Sequence, residues 1–384
     1  MADLNTVPSV PAARQPRAII KLGGVAVPGW VEWEVDTNIF YQADTFRVSF
    51  ALATPGMPVN AAWFAALTTT TPVEILAGFP ADPSAPVESE LIRWMYGNPD
   101  DVSFDPVKNT VELTGRDLTS LLIDTKTTEK WPNKTSSDIA TALAARHGLT
   151  PVVTATPTKV GRYYEIDHVR LIDERSEWDL LTWLAHEEQF VVYVRGQELH
   201  FEPKPDPATA SAYVLNWQPP TSDLGSPVFN GTAITLSRNL TLARDIIVTV
   251  HSWNQKSAKG FSKTVRATKN GLLVAGAPQT GAPESKTVTA QNYSYTIPNL
   301  TPDAALQKAQ SILADLSQHE MRLSATMPAD DILDVTSVIR LQGTATAFDQ
   351  DYFPESVTRR MSMSQGYSMS VQAKNHSSES VVMA

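Results

Sequence analysis

The segment Leu171–Pro203, LIDERSEWDLLTWLAHEEQFVVYVRGQELHFEP, constrains the fold most, because its hydrophobic period switches once and abruptly. Ser176 reads as a helix N-cap, with Glu177 and Asp179 in the first turn, where the helix dipole favours negative charge. Trp178, Leu181 and Ala185 fall on one helical face, which Leu180 and Leu184 widen into a surface that has to be buried. From Phe190 to Val194 the residues become β-branched and aromatic. Arg195, Gly196 and Gln197 then make a turn, and Leu199 and Phe201 alternate on a returning strand. A helix packed on a hairpin is expected.

Upstream, β-like runs at Ala18–Leu22, Val31–Asp36, Thr45–Ala51, Val73–Gly78, Ile92–Gly97 and Thr110–Gly115 are separated by Gly, Pro, Asn and Asp. This spacing predicts an antiparallel barrel or sandwich over residues 17–115, with one short helix at Ala61–Leu67. Residues 1–16 are polar, Pro-containing and aperiodic, and read as a flexible arm. Residues 116–203 read as mixed α/β, beginning with a short helix at Asp117–Ile123. A second helix at Thr135–His147 is capped by Ser136 or Ser137, turns Ile139, Leu143 and Ala144 inward, and stops at Gly148 before Pro151. Val152–Thr154 and Tyr163–Ile166 are expected strands.

Residues 204–227, rich in Pro, Ser, Thr and Asp, read as a linker. β character returns over 228–376, at Ala233–Arg238, Asp245–Trp253, Lys263–Thr268 and Lys286–Tyr295, then at Val338–Ala347, Ser356–Met363 and Tyr367–Ala373. Gly271–Pro283 reads as an exposed loop. Thr301–His319 is a helix capped by Thr301, with Pro302 at its first position and Leu306, Ala309, Ile312, Leu313 and Leu316 buried. An inserted α/β segment over about 256–319 and a tail at 377–384 complete the expected organisation. The fold class is α+β, mainly β.

The formal net charge is −10, from 31 Lys and Arg against 41 Asp and Glu, which argues against gripping nucleic acid through its phosphates. An acidic passage would instead let a duplex slide. With no cysteine in the chain, disulfides, thiolate nucleophiles and thiolate metal sites are excluded. The N-terminus lacks the pattern of a signal peptide, and no stretch approaches the ~20 apolar residues of a membrane span.

No catalytic constellation is expected, nor a metal or a cofactor. His186-Glu187-Glu188 begins like a zinc-protease helix, but Phe190 stands where the second histidine ligand belongs. The paired carboxylates Asp100-Asp101, Glu187-Glu188 and Asp330-Asp331 are sequence neighbours, which rarely face each other across a cleft. His168 and His200 fall on expected strands as structural imidazoles. The tryptophans are dispersed, which fits cores and interfaces better than a glycan platform. In Gly115-Arg116-Asp117, Gly115 would allow a turn, Asp117 would cap a helix, and Arg116 would pair within its chain or across a subunit boundary.

Two motifs, VELTGRDLTSLLID at Val111–Asp124 and the Ser176–Pro203 helix and hairpin, resemble the baseplate hub family of contractile phage tails. That is the late control protein D or Mu-type hub family, related to the hub part of VgrG spikes in type VI secretion. The resemblance implies two β-barrel domains flanking a smaller α/β domain, the second barrel carrying the helix-containing insertion. It also implies a non-enzymatic homotrimer whose pseudo-sixfold ring joins a sixfold tail tube to a threefold spike. Its partners would be the spike, the tube or tube initiator and other baseplate proteins, in a virion assembled in the host cytoplasm. DNA would pass without specific binding, and there would be no membrane insertion. Glu32, Glu34, Asp36 and Asp44 are the candidate channel-facing carboxylates; strand alternation decides which of them share a face. The alternatives are a tail-associated cell-wall hydrolase and a β-sandwich glycan-binding module.

Overall fold

The computed structural model describes residues 3–5, 15–54, 59–157, 159–160, 175–188, 190–203, 211–221, 225–239, 246–254, 259–268, 291–298, 300, 302–317, 321–375 and 381–383. The chain begins with β1 (Arg17–Leu22), β2 (Val25–Ala26), β3 (Trp30–Asn38), β4 (Thr45–Ala51), α1 (Ala61–Ala65), β5 (Val73–Gly78), β6 (Ile92–Asp105) and β7 (Thr110–Asp117). It continues through α2 (Thr119–Asp124), β8 (Lys126–Thr127), α3 (Ser136–Arg146), β9 (Thr150–Val153), β10 (Arg175–Ser176), α4 (Glu177–Glu188), β11 (Phe190–Arg195) and β12 (Glu198–Pro203). Then come β13 (Ala212–Gln218), β14 (Val228–Phe229), β15 (Ala233–Arg238), β16 (Ile246–Asn254), β17 (Lys259–Thr268), β18 (Gln291–Thr296) and α5 (Pro302–Ser317). The chain closes with β19 (Met321–Pro328), β20 (Val338–Gln342), β21 (Asp351–Ser362), β22 (Gly366–Asn375) and β23 (Val381–Met383).

The two β-rich stretches share one sheet. β3 pairs antiparallel with β21, from Ser356↔Asn38 to Ser362↔Glu32, so strands from the two ends of the chain lie side by side. β21 continues to β22 and β19 on one side, and β3 continues to β4, β7, β6, β5 and β1 on the other. Among the described residues these pairings close no barrel. One hydrophobic core serves both stretches, taking in Trp33, Val35, Val48, Phe50 and Leu113 together with Leu323, Val357, Met369 and Val371.

A second core lies under α2, α3 and α4; α3 and α4 pack on the sheet β11-β12-β9, and α2 packs against α4. Trp178, Leu181 and Ala185 are buried there with Leu199 and Phe201, as the period of the segment requires. Ser176 Oγ accepts from Asp179 N at 3.0 Å, and the Asp179 carboxylate accepts from Ser176 N at 3.1 Å, closing a capping box. The sheet and this domain are pinned by the β3–β4 loop. Tyr41, at φ 73°, donates from its hydroxyl to Phe190 O at 2.6 Å, and Trp178 Nε1 donates to Tyr41 O at 3.1 Å.

Several expectations need correction. The cap of α3 is Thr135, whose side chain accepts from Asp138 N while Asp138 answers on Thr135 N; Ser136 and Ser137 are already helical and buried. The strand expected to end at Gly97 runs on to Asp105, because Pro99 sits at a bulge where the ladder does not need its missing N–H. The linker at 204–227 contains β13, a buried run that pairs in parallel with β20; averaging over the surrounding Pro, Ser and Asp hid it. β19 falls where no strand is expected, with Met321, Leu323, Ala325 and Met327 alternating inward.

The insertion starts at β16 rather than at 256: β16, β17, β18 and β23 make a separate sheet, with α5 packed on it. Residues 381–383 of the expected tail are therefore strand, and residues 3–5 of the expected arm lie against β13. Tyr163–Ile166, Gly271–Pro283, His168 and the Thr301 cap fall outside the described residues.

Candidate functional site

Alternation places every outward residue of the shared sheet on one face, opposite the core. Strand by strand that face carries Thr235 and Ser237 on β15, Arg322, Ser324 and Thr326 on β19, and Ser368, Ser370, Gln372 and Lys374 on β22. It continues with Ser356, Thr358, Arg360 and Ser362 on β21, then Glu32, Glu34 and Asp36 on β3. Thr45, Arg47 and Ser49 on β4, Glu112, Thr114 and Arg116 on β7, and Asp101 and Ser103 on β6 complete it. Hydroxyls predominate. The charges balance, with Arg47, Arg116, Arg322, Arg360 and Lys374 set against Glu32, Glu34, Asp36, Asp101 and Glu112.

The candidate carboxylates divide. Glu32, Glu34 and Asp36, two residues apart, share this face, but guanidinium groups and a hydroxyl occupy them. Arg360 reaches Glu32 at 2.7 Å, and Arg47 lies 3.3 Å from Glu32, 3.7 Å from Glu34 and 3.6 Å from Glu112. Asp36 accepts from Thr358 Oγ1 at 2.7 Å. Asp44 is elsewhere, half-buried beneath the junction with the helical domain, and accepts from Asn38 N at 2.7 Å. Burial raises its carboxyl to about 7, partly opposed by the Asn38 N–H and by Arg195.

Gly115, Arg116 and Asp117 each have a definite local task. A Cβ on Gly115 would lie 2.2 Å from Asn98 O and 2.6 Å from the Phe46 ring, so only glycine lets β6 and β7 approach there. Arg116 makes a bidentate pair with Asp100 at 2.7 and 2.8 Å and reaches Asp124 at 3.0 Å, all in its own chain. Asp117 is buried at the start of α2 and accepts from Thr119 N at 3.1 Å and Thr119 Oγ1 at 2.9 Å. Desolvation and the neighbouring Asp44 push it well above the ordinary carboxylate range. Glu34, Asp36, Gly115 and Arg116 meet around a shallow concavity of about 350 Å³ in the polar face.

Sequence reading missed the counter-charges Arg47 and Arg360; only their strand parity, shared with the carboxylates, could have signalled them. It also missed the ion cluster at Glu177. That residue stands in the first turn as expected, but it is fully buried, with both carboxylate oxygens taken, one by Arg146 and the other by His147 Nε2 at 2.5 Å. His186 stacks on Tyr41 with ring centroids 4.5 Å apart, and His200 stacks on Tyr193 at 4.5 Å. Asp330 accepts from Tyr213 Oη at 2.7 Å, and Glu188 accepts from Ser136 Oγ at 2.7 Å. Among the described residues no group of His, Asp or Glu could hold a metal ion. What the face offers is a wide polar surface of hydroxyls and paired charges.

No family model matches the sequence, and no curated protein matches it. Solved structures do. A tail protein from Neisseria meningitidis MC58 superposes with TM-score 0.66 at 15% identity, over 94% of this chain and 97% of that one. The fold is that of the phage tail proteins. The 43 kDa tail protein of prophage MuSo2 from Shewanella oneidensis gives 0.60 at 12% identity, over 94% and 98% of the two chains. Prophage tail protein gp18 from Listeria monocytogenes EGD-e gives 0.53 at 8%, over 94% and 95%. The tail-protein fold thus covers the β-rich stretches, the helical domain and the polar face alike, at identities where only the fold is carried.

Proposed function

We propose that this chain is a structural baseplate hub of a contractile phage tail. It works without catalysis, as a homotrimer whose pseudo-sixfold ring joins the sixfold tail tube to the threefold spike and lets DNA pass. The observation that carries this reading is the continuous polar face shared by both β-rich stretches, in a fold that spans most of a prophage tail protein. Each stretch supplies one wall segment of barrel type, so three chains provide six. The helical domain and the insertion lie outside that wall and meet other baseplate proteins. The protein resides in the virion tail after assembly in the host cytoplasm.

Glu32, Glu34 and Asp36 line the passage in this reading, while Asp44 lies behind it. The wall avoids holding DNA by occupation: Arg47 and Arg360 are engaged by carboxylates and do not reach for phosphates.

Two measurements test the reading. The mass in solution, with and without a co-expressed spike protein, is expected to give a trimer. A chain that stays monomeric with its spike across micromolar concentrations would overturn it. The assembled ring is expected to bind no duplex DNA at low salt. Replacing Glu32, Glu34 and Asp36 with lysine should create binding that weakens with salt by a log–log slope of about −0.9 for each phosphate neutralised. Tight DNA binding by the unmodified ring would remove the passage from the proposal.

A further inference from the structure

β13 is an enclosed strand, with Ala212, Tyr213, Val214 and Leu215 all buried. One side pairs in parallel with β20, from Ala212↔Val338 to Asn216↔Gln342. Along the other side β14 covers only Trp217 and Gln218. The rest of that edge is nevertheless filled. Asp3 forms a parallel bridge with Ala212, and Leu4 N donates to Ala212 O at 2.7 Å. Asn5 Nδ2 donates to Val214 O at 3.0 Å, while Val214 N donates to Asn5 Oδ1 at 2.6 Å.

Asn230 repeats the arrangement one step on, accepting from Asn216 N at 2.8 Å and donating to Val214 O at 2.8 Å. Arg340, paired with Asp351 at 2.9 Å, also reaches Asp3 at 3.6 Å. Alternate residues of a strand turn their peptide groups to the same edge, and Ala212, Val214 and Asn216 are the ones turned outward here. A carboxamide offers both a donor and an acceptor, as a peptide does. Two asparagines and a short run of backbone therefore stand in for a strand.

Elsewhere in the same sheet, β15 pairs only with β19, and no strand lies beside the outer edge of Ala233–Ser237 among the described residues. That run, AITLS, contains no proline and no charge, so nothing in it blunts the edge against another chain. The cover on β13 is slight by comparison. Leu4 is 37% exposed, so the arm is only partly packed down.

We propose that residues 3–5 are a removable seal, and that the edge they cover on β13 receives β15 of a second copy of this chain. The proposal rests on the ring reading above and adds how the ring is kept from forming early. The two edges are different surfaces, so the contact is head-to-tail and closes only as a ring. An incoming β15 offers main-chain partners to Ala212 and Val214, the stretch that β14 and Asn230 leave to the arm, where the arm offers those of one bridge and one side chain.

The test uses the absence of native cysteine. In the full-length D3C/A212C variant, oxidation ties the arm to the edge and reduction frees it. Sedimentation velocity over a concentration series is expected to show that the oxidised protein needs at least tenfold more protein to assemble than the wild type does. Reduction should restore wild-type behaviour, and Asn5→Ala should assemble at about tenfold lower concentration than wild type. Mixing A212C with T235C should give a cross-link between copies with a short bis-maleimide. Oxidised protein that assembles as the wild type does would overturn the seal and leave the ring standing. Assembly without the cross-link would overturn β15 as the occupant. A wild type that stays monomeric in every state, with the spike present, would remove the ring and the seal together.

Discussion

Replacing Leu181 with alanine is expected to cost about 2–5 kcal/mol of stability, the range for a large core side chain whose cavity cannot collapse. Leu181 is fully buried in the second core, among Leu143, Ala144, Val192 and Phe201. Its surroundings have little freedom to move in. α4 is tied at its start by the Ser176–Asp179 capping box and at Trp178 by the bond to Tyr41, and it packs on α2, α3 and β11. Urea unfolding followed by tryptophan fluorescence measures the loss. A value below ~1 kcal/mol would mean that the helix face is wrongly assigned or that the domain is loosely packed.

Arg146→Met should cost about 3 kcal/mol, because it strands a buried carboxylate. The methionine keeps most of the stem but gives up the guanidinium, whose carbon is 5.8 Å from the Trp131 ring centroid. What it removes is the charge facing Glu177, which has no exposed surface and would be left with His147 alone. Arg146 itself is partly exposed and also bonds Glu129 at 2.6 Å, which places the cost at the lower end of the buried-pair range. The surface pair Lys108–Asp105, at 3.5 Å, is the control, and breaking it should change stability by less than ~1 kcal/mol. Equal losses for the two substitutions would mean that water reaches Glu177 after all.

Much of the fold was legible because burial imprints period on sequence. β4, β5 and β15 coincide with their expected bounds, and the helix and hairpin after Ser176 turn inward the residues their spacing selects. Misreadings cluster where local chemistry points elsewhere. Pro99 and its acidic neighbours look like a turn and are a bulge; the run before Trp217 looks like a linker and is core. Three adjacent hydroxyl residues at 135–137 all suit a cap, and only the geometry selects Thr135.

The sequence by itself determined the alternation of each strand, and with it that Glu32, Glu34 and Asp36 share a face backed by Trp33 and Val35, since side chains on a strand have a period of two. It also determined the Ser176 cap and the polar character of that face. Only the tertiary structure decided that β3 pairs with β21, which makes one surface of two distant stretches and brings Arg360 to Glu32 across 328 positions of chain. Strand pairing is made by main-chain groups that every residue carries, so period fixes which way side chains point but not which strand lies alongside. The buried pairing of Arg146 with Glu177 has the same origin. A charge is assigned its partner by where packed helices meet, and no spacing in the sequence encodes that meeting.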